Sequence, residues 1–104
     1  MTKLMILRVE LHGATATSYQ NLHTAMQVSG FKLTITANDG RVYKLPTAMY
    51  SFNGNSTREQ ILDHAATAAA VTGLRAAIIV IESGGSNWIG LDLDDNAGHS
   101  AAHL

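Results

Sequence analysis

Three side chains that could carry out acid–base chemistry lie two residues apart near the start of the chain. Arg8, Glu10 and His12 alternate with apolar residues in the segment LMILRVELH, residues 4–12. Residues two apart lie on the same face of a strand, so the spacing predicts a row of a guanidinium, a carboxylate and an imidazole. His12 and Glu10 could act as general base and acid, and Arg8 could stabilise a phosphorane-like charge. The row has the groups needed for metal-free cleavage of RNA.

Two other interpretations of this row remain open. Glu10 could help to hold Mg²⁺ across a dimer, because carboxylate oxygens are ligands for that ion. Alternatively, the three side chains could be ordinary solvated strand residues that pair with neighbours across a sheet.

Four cations are the candidate contacts for RNA phosphates: Arg8, Lys32, Arg41 and Arg58. Lys32 begins a stretch in which it alternates with Thr34 and Thr36 against apolar residues. We expect these three residues to lie on the same outer face of the sheet as Arg8, Glu10 and His12.

The positions of the other two cations, Arg41 and Arg58, depend on a predicted hairpin and on the start of a predicted helix. The register of the predicted hairpin decides whether Arg41 with Tyr43, or instead Lys44, joins the outer face. Arg58 falls in the first turn of the second predicted helix, where a cation opposes the helix dipole. Such a charge either indicates a contact with an anion or is there by chance.

Other kinds of chemistry lack their residues. The chain has no cysteine, which excludes disulfides and thiolate metal sites. Gly84 and Gly85 fall in a predicted turn between strands, so they do not form a phosphate-binding loop before a helix. His99 and His103 are four residues apart, but in a predicted tail they make an unconvincing metal site. We therefore expect no metal and no cofactor.

The elements that must position these residues follow from the apolar periodicity. The predicted elements are strand 4–12, helix 17–29, strand 31–37, strand segments 41–45 and 48–52, helix 57–72, strand 76–83 and a short strand 88–91. This order predicts an α+β, ferredoxin-like βαββαβ fold with a short extra C-terminal strand. Its two helices should pack on one face of an antiparallel sheet in the spatial order 4-1-3-2.

Capping patterns place the helix starts. Thr17 with Gln20 predicts a capping box for the first helix. Ser56 with Glu59 predicts one for the second, with Thr57 as the alternative cap.

The predicted core combines alternating strand residues with helix stripes. Its expected members are Met5, Leu7, Val9, Leu22, Met26, Ile61, Leu62, Ala65, Ile79 and Ile81. The near-continuous apolar run 76–83 is typical of a strand that is covered on both faces.

Composition and charge predict one domain over residues 1–91 and a disordered tail over 92–104. The tail has acidic residues, Ala, Ser and His but no apolar period. Residues 1–91 hold seven Lys or Arg and five Asp or Glu, a net charge of about +2, which permits contact with RNA without arguing strongly for it. No apolar run reaches the ~18 residues of a membrane span, so we expect a cytoplasmic protein.

Trp88 and the low charged fraction, 14%, point to assembly. A surface with so few charges suggests that part of it is covered by a partner, and Trp88 is either a core residue or an anchor at an interface. We expect a homodimer, formed through the outer face of the sheet or the edge Trp88–Leu91.

Four segments together resemble a known family: RVELHGATATSYQNLHTAMQVSGF, TITANDGRVYKLPTAMY, GNSTREQILDHAATAA and NWIGL. Over roughly residues 4–91 the chain is similar to the GhoS-type antitoxins of type V toxin–antitoxin systems. This resemblance implies a ferredoxin-like fold similar to that of the CRISPR-associated adaptation nucleases. It also implies an endoribonuclease that cleaves the messenger RNA of its partner toxin.

The sequence therefore predicts an antitoxin-like endoribonuclease or RNA-binding protein, with His12 and Glu10 as the catalytic residues. The alternative is a non-catalytic, ferredoxin-like dimeric module that binds another protein.

Overall fold

The computed structural model describes residues 2–94, which form five strands and two helices in the predicted order. In chain order these are β1 (Lys3–Leu11), α1 (Ala16–Val28), β2 (Thr34–Thr36), β3 (Val42–Lys44), β4 (Met49–Gly54), α2 (Arg58–Ala69) and β5 (Ala76–Ser83). A 3₁₀ turn, Ala70–Thr72, extends α2, so the predicted helix 57–72 is confirmed almost to the residue.

Strand β1 is the centre of an antiparallel sheet in the order β4-β1-β5. The segment just before β2 joins the far side of β4, where Lys32 and Ser51 exchange two backbone hydrogen bonds of 2.8 Å. This is the predicted 4-1-3-2 arrangement, with β5 and β4 as the fourth and third strands of the motif. Both helices pack on one face of the sheet. The chain thus has the predicted α+β, ferredoxin-like fold.

The core lies between the helices and the inner face of β1. The buried residues on β1 are the odd-numbered ones from Met5 to Leu11. Helix α1 contributes Leu22 and Met26, and α2 contributes Ile61 and a face of small alanines. Small side chains let α2 approach the sheet closely. Seven of the ten predicted core residues are therefore buried as expected.

The other three predicted core residues, Leu62, Ile79 and Ile81, are exposed, and that prediction is wrong. Ile78 lies opposite Val9, so Ile78 and its same-face neighbours Ala76 and Val80 face the core. Ile79 and Ile81 fall on the outer face and are 56% and 52% exposed. Within residues 2–94, β5 is not covered on both faces, although its unbroken apolar run suggested that it would be.

Threonine side chains cap both helices in reciprocal capping boxes. The cap of helix α1 lies two residues earlier than predicted, because Thr15 rather than Thr17 caps the helix and Ser18 completes the box. In α2 the cap is Thr57, the predicted alternative, with Gln60 as its partner. A short turn after β1 leaves Thr15 extended and its hydroxyl free to accept from the Ser18 amide.

The hairpin of β2 and β3 leaves the plane of the main sheet and folds over part of its outer face. Ser51 lies opposite Ile6 and hence on the outer face, yet it is only 2% exposed. Its hydroxyl donates to the Thr34 carbonyl at 2.5 Å. The predicted break near Pro46 is present, since Ala48 has a φ of +71°. As a result, β2 and β3 form a two-stranded sheet of their own.

The extra C-terminal strand is not where it was predicted. Residues 88–91 form no strand, and Gly90, with a φ of +81°, turns the chain there. Residues 92–94 instead extend along β3: the Lys44 amide donates to the Asp92 carbonyl and the Asp94 amide to the Val42 carbonyl, both at 2.9 Å. The first residues of the predicted tail are therefore hydrogen-bonded to the domain. The rest of that prediction, with His99 and His103, lies outside the described residues.

Neither helix between residues 2 and 94 has the length and the apolar character required to cross a membrane.

Candidate active site

Arg8, Glu10 and His12 form one row on the outer face of the sheet. Arg8 lies opposite Ile79, and Glu10 lies opposite Ala77. His12 follows the end of β1, and its amide donates to the Arg75 carbonyl at 2.9 Å, which continues the ladder by one residue. All three side chains are exposed. Same-face neighbours on a strand are about 6.5–7 Å apart, a spacing that can bracket one phosphodiester group.

The row borders a shallow groove of about 250 Å³ between β1 and β5, lined by Arg8, Glu10 and residues 77–79. No ion pair within residues 2–94 engages Arg8 or Glu10. Their charges have no ion-pair partner in that part of the chain and are therefore available to a charged ligand.

Arg75 is a functional candidate that sequence reasoning missed. The pairing of Leu11 with Ala76, continued by the bond from His12 to Arg75, places Arg75 beside His12 across the ladder. Both residues are exposed, and alternation along β5 puts Arg75 on the outer face with Ala77 and Ile79. The row therefore has a guanidinium near each end. Its position beside His12 depends on the register between two strands whose paired residues are more than sixty positions apart, and the local sequence gives no signal of that register.

The other predicted phosphate contacts lie on three separate elements. Lys32 borders a cleft of about 660 Å³ between α1 and the hairpin, together with Lys44 and Asp94. Arg41 sits in the hairpin turn, where its Nε is 3.7 Å from Asp39. Arg58 is the first residue of α2, in the helical layer on the other side of the sheet from the row. The structure brings together Arg8, Glu10 and His12 but not these three.

A second group that the sequence did not reveal is the pair of His23 and Tyr50. The His23 Nδ1 is 2.6 Å from the Tyr50 hydroxyl, and Tyr50 is fully buried. Burial lowers the pKa of His23. Burial, and then the neighbouring Tyr19, raises the pKa of Tyr50. Both shifts favour the uncharged forms, so this pair is a neutral hydrogen-bonded link between α1 and β4.

No group of three or more His, Asp or Glu side chains within residues 2–94 is arranged to hold a metal ion. A single carboxylate such as Glu10 could still share an ion with a second copy of the chain.

The antiparallel sheet with both helices on one face defines a ferredoxin-like α+β protein, and the charged row is exposed on the other face. The model of the Endoribonuclease GhoS family matches residues 2–81, and the chain belongs to this family. The matched stretch runs from β1 into β5 and includes Arg8, Glu10, His12 and Arg75. The predicted resemblance is thereby confirmed, and the family is one of endoribonucleases that act on RNA. A comparison with curated proteins finds no match.

Proposed function

We propose that this protein is an antitoxin-like endoribonuclease that cleaves the messenger RNA of a toxin. Membership of the endoribonuclease family over residues 2–81 carries this proposal. The exposed row of Arg8, Glu10 and His12 supplies the chemistry, and Arg75 lies beside it.

The reaction needs a nucleophile, two proton transfers and charge stabilisation. The 2′-hydroxyl of the RNA attacks the adjacent phosphorus, the O2′–P bond forms, and the P–O5′ bond breaks. One member of the pair His12 and Glu10 accepts the proton of the 2′-hydroxyl, while the other gives a proton to the departing 5′-oxygen. Arg8 and Arg75 stabilise the charge on the non-bridging oxygens. The products are a 2′,3′-cyclic phosphate and a 5′-hydroxyl.

The position of the row suits this chemistry, because an open sheet face admits an extended strand of RNA. The hairpin covers the outer face over β4 but leaves the ends of β1 and β5 near His12 accessible. With Glu10 and His12 on either side of a bound phosphate, the acid and the base can act on opposite sides of the phosphorus, as the reaction requires.

The test is cleavage of a pool of transcripts, read by sequencing, with and without EDTA. His12→Ala and Glu10→Gln should each lower the cleavage rate by about 10²- to 10⁴-fold, the usual contribution of a general acid or base. Glu59→Gln is the matched control, because it removes an exposed carboxylate from α2 in the helical layer. Cleavage that EDTA abolishes would favour the Mg²⁺ role of Glu10 over metal-free chemistry.

A second candidate function is the non-catalytic dimeric module, which the exposure of Ile79 and Ile81 beside the row favours. Equal cleavage by the wild type and His12→Ala, or no cleavage by either, would contradict the assigned site and favour this module. A gene for a small membrane peptide next to this one would favour the antitoxin.

A further inference from the structure

A cleft of about 600 Å³ lies on the outer face between the β2–β3 hairpin and the chain that follows β5. Its walls include Tyr43 and Asn38 from the hairpin, and Asn87 and Trp88 from the following loop. Leu4 of β1 also lines the cleft. The volume is within the range of about 300–1,000 Å³ that is usual for small-molecule sites.

Two aromatic rings give this cleft its character. Tyr43 and Trp88 pack edge to face, with ring centroids 5.5 Å apart and an angle of 63° between the planes. Both residues are half-buried. Because both residues line the cleft and are only partly buried, part of each is accessible from it, and an accessible aromatic face can stack on a planar ligand.

The polar groups of the cleft are uncharged. Asn38 and Asn87 provide amides, and Thr36, Ser83 and Ser86 provide hydroxyls, whereas no charged side chain is among the lining residues of the part of the chain that is described. Amides and hydroxyls can donate to and accept from the edge of a nucleobase, and aromatic rings stack on its face. A phosphate would find no cation here, so the lining suits a neutral planar ring.

The cleft lies along the path of an RNA strand bound at the row. Leu4 and Arg8 are on the same outer face of β1, four residues and so about 13 Å apart. A strand with one phosphate at Arg8 can thus place a nearby base in the cleft. Arg41 is three residues after Asn38 on the same hairpin, which puts a cation near the backbone of such a strand.

We propose that the cleft between Tyr43 and Trp88 binds an unpaired nucleobase of the RNA substrate. This inference rests on the proposed function, because it assigns a base-binding subsite to the same substrate. The subsite includes Ser83 and residues 85–88, which come after the stretch that matches the family. It would add affinity and a preference for certain bases near the cleavage point.

Trp88 is the only tryptophan in the chain, so its fluorescence reports on the cleft directly. The probe is a short single-stranded RNA whose 2′-hydroxyls are methylated, which removes the nucleophile and separates binding from cleavage. Saturable quenching of Trp88 should accompany binding of this RNA, with binding followed independently by the anisotropy of a dye on the RNA.

Variants at the cleft should weaken this binding. Trp88→Leu and Tyr43→Leu should each lower the affinity roughly ten- to a hundredfold, the usual effect of removing a base-stacking aromatic. Ile89→Ala is the matched control, because Ile89 is 96% exposed and is not part of this cleft. Asn38→Ala changes an exposed turn residue and keeps both aromatic rings. It should change the order of affinities for methylated RNAs that consist of a single base, A, C, G or U. An abasic analogue should bind wild type and Trp88→Leu equally.

Each of the following results would overturn the inference. The first is RNA binding without a change in Trp88 fluorescence, and the second is wild-type affinity for RNA in both aromatic variants. The third is a Trp88→Leu variant that loses as much affinity for the abasic analogue as for the intact RNA. None of them affects the cleavage assay of His12→Ala, so the subsite and the proposed function can fail separately. If the methylated RNA does not bind at all, the inference also fails, and cleavage of unmodified transcripts still decides the activity.

Discussion

Arg8, Glu10 and His12 owe their common face to simple alternation along β1. Apolar neighbours at Met5, Leu7, Val9 and Leu11 are buried, and this fixes the intervening residues on the outside. The strand therefore presents the row without any special loop. Arg75 joins it only because β5 pairs with β1 in one particular register.

At this scale we predict that the two arginines of the row carry the salt dependence of RNA binding. Arg8→Ala and Arg75→Ala should each weaken binding to non-cleavable RNA and flatten the plot of log affinity against log salt concentration by about 0.7, since each phosphate contact on a single strand releases counterions. The measurement is a titration at several salt concentrations. Arg58→Ala is the comparison, because Arg58 lies in the helical layer. An equal change of slope in that variant would show that RNA also contacts the helices and would contradict a site confined to the outer face.

His23 and Tyr50 give a second prediction, which concerns stability and pH. Burial holds the pKa of His23 below its ordinary value of 6.5, so between pH 6.5 and that lower pKa the unfolded chain binds a proton that the folded chain does not. The contribution of His23 to the free energy of unfolding should be complete above pH 6.5, and the free energy of unfolding should fall as the pH drops below 6.5. Denaturant unfolding at a series of pH values measures this slope.

The slope should be smaller in His23→Leu, which removes the buried imidazole. His64→Gln is the control, since His64 is an exposed imidazole on α2 whose Nε2 lies 2.7 Å from the Ser29 carbonyl. Equal slopes in the wild type and His23→Leu would show that the acid sensitivity comes from another group.

At the scale of elements, short-range chemistry sets where the helices begin and end. The first helix ends in a Schellman arrangement: Gly30 has a φ of +93°, and the Phe31 amide donates to the Met26 carbonyl at 2.9 Å. The second helix is held by the box of Thr57 and Gln60, with hydrogen bonds of 2.8 and 3.1 Å.

Thr57→Ala should lower the free energy of unfolding by about 1 kcal/mol, because it leaves the amide at the start of α2 without its partner. Ser56→Ala is the matched control, since Ser56 precedes the cap and should change stability by less than about 0.5 kcal/mol. Equilibrium denaturation of both variants gives the comparison. A larger loss in Ser56→Ala would mean that the helix starts at the other predicted cap.

For the whole molecule, the exposed edge of the sheet is the feature that calls for a partner. Within residues 2–94, β5 pairs on one side only, and it exposes Ile79 and Ile81. An exposed apolar edge strand invites pairing with another chain. The other predicted interface, residues 88–91, is not a strand, and Trp88 packs against Tyr43.

We therefore predict a symmetric homodimer that pairs through β5. Ile81→Lys should shift the protein towards the monomer, because it places a charge at the apolar edge, and light scattering measures the change in mass. Val71→Lys is the control, since Val71 is 70% exposed on the helical side. A wild type that remains monomeric at high concentration would contradict the dimer.

The sequence by itself determined the order of elements, the face of β1, the apolar stripes of both helices and the family. The elements and their faces depend on spacing within single short segments, where alternation, a 3.6-residue period or a cap acts locally, and the family depends on four such segments taken together. The row of Arg8, Glu10 and His12 belongs to this class.

Only the tertiary structure decided which face of β5 is buried, because Ala76–Ser83 is nearly all apolar and its sequence carries no alternation. It also decided that Arg75 lies beside His12, that His23 meets Tyr50, and that Trp88 meets Tyr43. Each of these contacts joins segments that are at least 27 residues apart. Such contacts depend on strand register and on the bend of the hairpin, which are set by the packing of the whole domain and leave no local pattern.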